Sequence, residues 1–302
     1  MAPPIKLPVC CTPSAFELLS KTAAAVDSPD ALLTGAVAIA RHHVEGADLA
    51  AVDAQLQRYA DTVRSRVRGR QPQALLAHLH SVLFDEEGFR GNTDDYYAPS
   101  NSYVPTVLET KRGLPITLSL IYKVVADRLG LRAWGVGLPG HFLVAVDVED
   151  VPRNRPAAKG KQKSGGAEQA AKEPMLVDAF AGGRILTIEE AHERIQEMFG
   201  PEAEWSEEML RPASNRHWLT RMLQNLLNVF GSANQFSDVA AVLEMEMLLW
   251  PHHHHLQRDL GLVLARCGMS RPASIWLDRY LKANPDDPQK SQLKELLQVL
   301  SN

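Results

Sequence analysis

The stretch from Gly113 to Asp178 is the most informative part of the chain for predicting its fold. It opens with an apolar segment, GLPITLSLIYKVVADRLG, in which Pro115 suits a first helical turn and Gly130 a helix end. A mostly buried helix is therefore predicted. Two runs rich in β-branched and aromatic residues follow around a Pro-Gly turn, and MLVDAF supplies a third, which predicts three short strands. His141 opens the second predicted strand, and Asp178 closes the third.

A helix start, a histidine on one strand and an aspartate on the next form the layout of a papain-type or transglutaminase-type catalytic site. In a working site, the Asp178 carboxylate would fix the tautomer of the His141 imidazole. The alternatives are that the pair only ties two strands together, or that it binds a ligand without turnover. The predicted fold class is α+β, with a helix against a small antiparallel sheet.

Composition restricts the classes of function. The 302 residues are 45% hydrophobic and 23% charged, with a formal net charge of -4, as in soluble globular proteins. No basic stripe or apolar run of about 18 residues is visible, so neither nucleic-acid binding nor a membrane span is predicted. The three cysteines are Cys10, Cys11 and Cys267, and this odd number indicates reduced thiols and a cytoplasmic protein. No cofactor is indicated.

The chain before residue 86 is predicted to be helical throughout. A capping-box pattern of Ser14 and Glu17 predicts the first helix start. Three more helices are predicted from their apolar spacing, over residues 29–43, 47–67 and 73–84.

Residues 86 to 105 are rich in Gly, Asn, Asp and Pro but also aromatic, which predicts an ordered loop rather than a linker. Asn101 or Ser102 can cap a short helix that ends at Gly113. Polar and aromatic residues of this loop are the candidate ligand-binding groove over the His141 end of the sheet. The alternative is that the rings belong to the core. The groove residues are Asn92, Tyr96, Tyr97, Asn101 and Tyr103.

Residues 150 to 174 are polar and small and lack periodicity, so a mobile insertion between strands is predicted. Further on, Thr187 and Glu190 form a second capping-box pattern that begins a helix ending at Gly200.

The last ninety residues contain an internal repeat. Aligning the segment around Leu226 with the segment around Leu260 gives a constant offset of 34, and the same offset brings Pro251 onto Pro285. This is the period of a tetratricopeptide helix pair. Since two repeats are rarely stable by themselves, they are expected to pack against the preceding domain.

The segments FDEEGFRGNTDDYYAPSNSYVPTVLETKRGLPITLSLIYKVVADRLGL and GVGLPGHFLV resemble the SirB-type bacterial proteins, over nearly the whole chain. In this family a transglutaminase-like core precedes tetratricopeptide repeats, and the family is named for a role in regulating invasion genes. The resemblance implies that His141 and Asp178 match the family's histidine and aspartate. It also implies that Gly113, Leu114 and Pro115 stand where active enzymes have Gly-x-Cys.

Proline has no group that can replace the missing thiol. Ser119, one turn deeper on the same helix face, is a weak candidate nucleophile, and the alternative is a hydrogen bond back to a helix carbonyl. Thr117 points to the other side. Cys10 and Cys11 are in a proline-bracketed tail, and Cys267 is at a small-residue packing position of the repeat.

No metal site is predicted. The run from His252 to His255 is expected in a loop between repeat helices, where four neighbouring rings cannot all face one ion. The pairs His42-His43 and His78-x-His80 are placed on helices without the i, i+4 spacing of a helical metal site.

Three segments are predicted: a helical N-terminal segment (1–85), a transglutaminase-like core (86–211) and helical repeats (212–302). The first hypothesis of function is a non-catalytic regulator that binds a protein or peptide partner through the repeats. The alternative is an acyl-transfer or peptidase-like hydrolase that uses His141 and Asp178 with Ser119 or another nucleophile.

Overall fold

The computed structural model describes residues 7–69, 71–147 and 174–301. Apart from Pro174, the segment predicted as an insertion therefore lies outside the described residues. The N-terminal part is helical, as predicted. Its four α-helices are α1 (Pro13–Ala24), α2 (Ala31–Ala40), α3 (Leu49–Arg66) and α4 (Pro72–His80), the last continued by a π-helical turn, Ser81–Glu86.

Two predicted N-terminal details are wrong. The first helix begins at Pro13 after the N-cap residue Thr12, so Ser14 is already inside the helix, and Glu17 instead accepts a hydrogen bond from Lys21 at 2.7 Å. The second helix ends at Ala40. His42 and His43 therefore lie in the turn that follows it rather than on the helix.

Residues 86 to 105, called the aromatic loop below, are ordered, and the chain continues from them through a short helix to the buried helix that starts at Pro115. Strands β1 (Arg90–Gly91) and β2 (Arg112–Gly113) form a short parallel pair, on either side of a 3-10 turn, Pro99–Ser102, and helix α5 (Val104–Thr110). Helix α5 follows Tyr103 without a side-chain cap, so the predicted Asn101 or Ser102 cap is wrong. It ends before Lys111, which is in the left-handed conformation, rather than at Gly113.

The central helix and sheet follow the predicted order. Helix α6 (Pro115–Arg128) starts at the predicted proline, and ten of its residues are buried. Strands β3 (Arg132–Val136), β4 (Leu143–Asp147), β5 (Met175–Asp178) and β6 (Arg184–Leu186) form one antiparallel sheet in that order.

The sheet corrects the sequence prediction at two points. The strand β6 was not predicted, and His141 lies in the turn two residues before β4 rather than on it. Helix α7 (Ile188–Phe199) then begins at the predicted capping box, in which Thr187 and Glu190 each bond to the other's backbone. A 3-10 turn, Glu207–Leu210, follows α7.

The C-terminal part consists of antiparallel helix pairs, as the 34-residue repeat predicts. Its helices are α8 (Asn215–Ser232), α9 (Phe236–Leu249), α10 (His254–Arg266), α11 (Ser270–Ala283) and α12 (Lys290–Leu300). His254 and His255 form the first residues of α10, so only His252 and His253 remain in the interhelical turn.

One hydrophobic cluster joins all three predicted segments. It includes buried residues of the N-terminal helices, of α6 and of the repeat helices. Helix α8 is the main link, because Leu219 fills the space beside Gly35. Its neighbour Trp218 packs on Phe142 with ring centroids 4.5 Å apart. Within the described ranges, no helix has the length and apolarity needed to cross a bilayer.

Candidate functional site

The structure brings His141 and Asp178 together. His141 Nε2 donates a hydrogen bond to Asp178 Oδ2 at 3.1 Å, and the Asp178 side chain is fully buried. The other carboxylate oxygen accepts from the backbone N–H groups of Phe180 and Ala181, at 3.0 and 3.1 Å. Burial alone would raise the pKa of the Asp178 carboxyl group, but these bonds and nearby Arg194 lower it below its usual value. The carboxylate is thus held charged inside the fold.

Arg194 on α7 completes the site, although no sequence motif pointed to it. Its Nη1 donates to the same Asp178 Oδ2 that His141 contacts, and it lies 3.4 Å from His141 Nε2. The Arg194 side chain is 28% exposed. Two cationic or potentially cationic groups therefore share one buried carboxylate. An arginine on an amphipathic helix carries no motif, since such residues usually face solvent.

The first turn of α6, where an active enzyme of this type has its cysteine, contains Pro115 and is covered by the indole ring of Trp218. Pro115 is buried at the first position of α6. One residue on, the carbonyl of Ile116 accepts a hydrogen bond from the indole of Trp218 at 3.3 Å. The start of α6 is therefore packed under the first repeat helix, and it presents no nucleophilic side chain.

Ser119 is not paired with His141. Its hydroxyl is fully buried and donates to the carbonyl of Phe142 at 3.4 Å, which ties α6 to the segment that leads into β4. The acceptor differs from the helix carbonyl named as the alternative, but the effect is the same, because the bond occupies the hydroxyl proton. Thr117 is also fully buried, and its Oγ1 has no hydrogen-bond partner among the described residues.

The two adjacent cysteines lie against helix α9. The backbone N–H groups of Val9, Cys10 and Cys11 all donate to the carboxylate of Glu244 on α9, at 2.7, 3.1 and 2.8 Å. Burial, and then the charge of Glu244, raise the pKa of each of these two thiols to about 12. Both are therefore protonated and unreactive at neutral pH. Cys267 is the residue that follows α10, and all three thiols are free.

Two of the five candidate groove residues form the framework of the aromatic loop. Asn101 is buried, and its amide nitrogen donates to the carbonyls of Asp95 and Tyr96 at 2.7 and 3.1 Å. Its carbonyl oxygen accepts from Asn92 at 2.9 Å. These bonds hold the turn that displays the two adjacent tyrosines. Tyr103 is buried on another side of the loop, where its ring stacks on His43.

The two remaining tyrosines lie on the His141 side. Tyr96 contacts Phe180 edge to face at 5.9 Å between centroids, and Phe180 contacts His141 in the same way at 6.4 Å. Tyr97 packs on Tyr96 and is 76% exposed. Phe180 can sit here because Gly91 leaves room, since a Cβ at Gly91 would lie 2.4 Å from the ring.

Exposed apolar side chains also border His141 on the opposite side. Met198 and Phe199, at the end of α7, are 48% and 59% exposed and lie against Gly140. A cavity of about 400 Å³ opens beside them; it is lined by His141, Met198 and charged residues of both signs. We call the surface formed by Tyr96, Tyr97, Phe180, Met198 and Phe199 around His141 the His141 face. The His141 face thus combines exposed apolar side chains with the charged lining of the cavity.

The other histidine groups are placed as follows. His253 stacks on Trp250 at 4.7 Å, and His253 and His255 lie 5.4 Å apart. His80 hydrogen bonds the hydroxyl group of Tyr122 at 2.9 Å. His42 and His43 both approach Asp238.

Comparisons with known proteins match two parts of the chain. Residues 50–224 match the transglutaminase-like superfamily, and residues 226–298 match the tetratricopeptide repeat. A UPF0162 protein of Xylella fastidiosa is 32% identical over 275 residues, which cover 90% of each chain. A UPF0162 protein of Pseudomonas aeruginosa is 24% identical over 221 residues, 72% of this chain and 73% of that protein.

A shorter similarity is found in a eukaryotic protein. F-box only protein 21 of Mus musculus is 35% identical over 120 residues, which are 40% of this chain and 17% of that protein. No solved structure matches the chain significantly.

Proposed function

Since the chain belongs to the transglutaminase-like superfamily and carries C-terminal tetratricopeptide repeats, we propose that it is a pseudoenzyme that binds a protein partner without catalysis. The observation that carries the proposal is the environment of His141. In the part of the chain that the structure describes, the imidazole contacts Asp178 and Arg194, and no thiol or hydroxyl hydrogen bonds it. Covalent acyl transfer needs a nucleophile within hydrogen-bonding reach of its base.

Arg194 also argues against catalysis by the remaining pair. In a catalytic dyad the carboxylate stabilises the imidazolium that forms when the base takes a proton. Here the Asp178 charge is shared with Arg194, and the guanidinium lies next to the same ring nitrogen. The Asp178 carboxylate is therefore not reserved for the imidazole, as it would be in a dyad. The arrangement favours a structural pair over a general base.

The His141 face is the proposed contact surface for the partner. Clustered large apolar side chains that stay exposed mark binding surfaces, and two such pairs lie on the two sides of His141: Tyr96 and Tyr97, and Met198 and Phe199. The repeats contribute less free surface than a stand-alone array, since α8 packs on α2 and α9 packs on α1. The open repeat surface lies on α10 to α12, where α12 buries only Leu293.

The second candidate function is the hydrolase, and the intact His141–Asp178 hydrogen bond favours it. Treatment of the native protein with fluorophosphonate and iodoacetamide probes, followed by mass spectrometry, separates the two. We expect no label that depends on His141. A label at Ser119 or at any cysteine that disappears in His141→Ala, with unchanged thermal stability, would establish the enzyme instead.

Photo-crosslinking tests the proposed contact surface. A benzophenone amino acid placed at Tyr97 or Phe199 is expected to crosslink one and the same protein in the native cell, and Met198→Ser is expected to weaken both crosslinks. The matched control is the same probe at Val299 on α12, which is 70% exposed and lies outside the His141 face. Equal crosslinking from Val299, or insensitivity to Met198→Ser, contradicts the proposed surface.

A further inference from the structure

Three metal-binding side chains converge where the N-terminal helices meet the repeats. His42 and His43 follow the end of α2, and Asp238 is in the first turn of α9. Asp238 Oδ1 lies 3.4 Å from His42 Nε2 and 3.1 Å from His43 Nε2. One ligand atom from each of the three residues lies within 4.8 Å of the other two. Neighbouring residues on a helix would point in different directions. These two histidines converge because the chain has left the helix.

The spacing of these atoms fits a transition-metal site. Zinc-class ions bind imidazole nitrogen and carboxylate oxygen at about 2.0–2.2 Å in tetrahedral geometry, which places neighbouring ligand atoms roughly 3.4 Å apart. Both contacts to Asp238 are close to this separation. Ligand atoms within 4.8 Å of one another are close enough to converge on one ion once their separations shorten towards this value.

Two buried polar atoms at this place lack a hydrogen-bond partner among the described residues. His42 has a side chain only 9% exposed, and its Nε2 makes no hydrogen bond there, although it faces Asp238. The hydroxyl of Tyr103, whose ring stacks on His43, is likewise buried and unpaired within the described ranges. Leaving such groups unsatisfied is costly. A bound ion with a water ligand would satisfy them.

The geometry points to a divalent zinc-class metal site formed by His42, His43 and Asp238. Two imidazoles and one carboxylate favour zinc-class ions over magnesium and calcium, which prefer oxygen ligands alone. A cavity of about 530 Å³ borders both histidines and gives access for the ion and a water ligand.

Metal binding has a consequence for the start of α1. The backbone N–H of Thr12 donates to His42 Nδ1 at 3.3 Å, which leaves the ring proton on Nε2. An ion at Nε2 requires that proton to move to Nδ1, where it would face the Thr12 N–H. The long Thr12 bond therefore breaks on metal binding, and amide exchange at Thr12 is expected to become faster.

The full chain is titrated with Zn²⁺ and, separately, with Co²⁺. Calorimetry measures the binding of Zn²⁺, and the visible absorption of tetrahedral cobalt measures the binding of Co²⁺. Residues His252 to His255 are first replaced by alanine to remove the other histidine group, and this protein is the reference. We expect it to bind one equivalent of each metal. His43→Gln and Asp238→Asn should each lower the affinity at least about 10-fold, since even outer partners of a metal site cost that much.

The fold of the metal-free variants is checked by circular dichroism. His43 and Asp238 are both partly exposed, at 35% and 23% of their side chains, so conservative substitutions there are expected to leave the metal-free circular dichroism unchanged. Unaltered affinity in either variant would overturn the site. So would loss of all binding on removing the 252–255 run, or an unchanged exchange rate at Thr12 in the metal-loaded protein.

Discussion

At the scale of single residues, the site depends on one buried carboxylate. Asp178 accepts from His141, from Arg194 and from two backbone N–H groups, which uses both of its oxygens. A buried charge is tolerated in a protein only when it is paired and hydrogen-bonded in this way. The carboxylate therefore stabilises the fold even if the site has no chemistry to perform.

We predict that Asp178→Asn destabilises the protein by roughly 3 kcal/mol, because it leaves the Arg194 charge without its partner in a partly buried place. Urea unfolding followed by circular dichroism measures the change. The control is Arg184→Gln, whose bond to Glu190 is exposed and is expected to contribute less than about 1 kcal/mol. Equal stability of Asp178→Asn and wild type would show that the ion pair contributes nothing.

His80 predicts a pH dependence of stability. Burial lowers the pKa of its imidazole to about 4, against 6.5 for an ordinary histidine. Between these values the unfolded chain binds a proton that the folded chain does not, so stability falls as the pH falls through this window. The expected contribution of His80 between about pH 7 and about pH 5 is on the order of 2 kcal/mol.

Urea unfolding at the two pH values measures this contribution as the difference between wild type and His80→Gln. His78→Gln, on the same helix, is the matched control for the loss of one imidazole from α4. If His80→Gln loses as much stability on acidification as wild type does, His80 is not the responsible group.

At the scale of elements, Glu244 connects helix α9 to the residues that precede α1. Its carboxylate on α9 accepts three backbone N–H groups from residues just before α1. Burial raises the pKa of the Glu244 carboxyl group, and the three N–H bonds oppose this. Residues 9 to 11 are thus fixed to α9.

We predict that Glu244→Ala releases this segment and costs on the order of 2 kcal/mol, since three donors lose their common acceptor. In a Cys267→Ser background, alkylation by iodoacetamide at pH 8 should become faster at Cys10 and Cys11, because both thiols lose burial and the nearby negative charge. Glu295→Ala, at an exposed position of α12, is the control. Unchanged alkylation in Glu244→Ala would contradict the anchoring role.

At the scale of the whole molecule, the repeats and the core share one interior. Trp218 is fully buried between Phe142 and the start of α6, and Leu219 fills the space beside Gly35. Removing α8 would therefore expose apolar surface on both the helical segment and the sheet.

We predict that a chain ending at residue 211 does not fold cooperatively, because it exposes the apolar surface that α8 buries. A chain ending at residue 288 lacks only α12 and is expected to unfold cooperatively with moderately reduced stability. Differential scanning calorimetry of both chains checks this. A sharp transition in the shorter chain would instead show that the first 211 residues form an independent domain.

Local patterns in the sequence were sufficient to predict the order of nearly all elements, the 34-residue repeat and the pair His141 and Asp178. Each of these is encoded locally, since apolar periodicity, turn residues and family motifs are read within one element or from neighbouring strands. The same patterns located the proline at the start of α6. The predicted caps at Ser14 and Asn101 failed because the helix starts were fixed by neighbouring proline residues and by packing instead.

The contacts between side chains in the candidate sites depend on how elements far apart in the chain pack together. Arg194 joins the His141 pair because α7 folds back along the sheet, and Ser119 bonds the Phe142 carbonyl because α6 is buried beneath it. Glu244 meets Cys11 across 233 positions of the chain, and the same packing of α9 brings Asp238 to the two histidines after α2. These contacts join residues far apart in the chain, so no periodicity in the sequence records them.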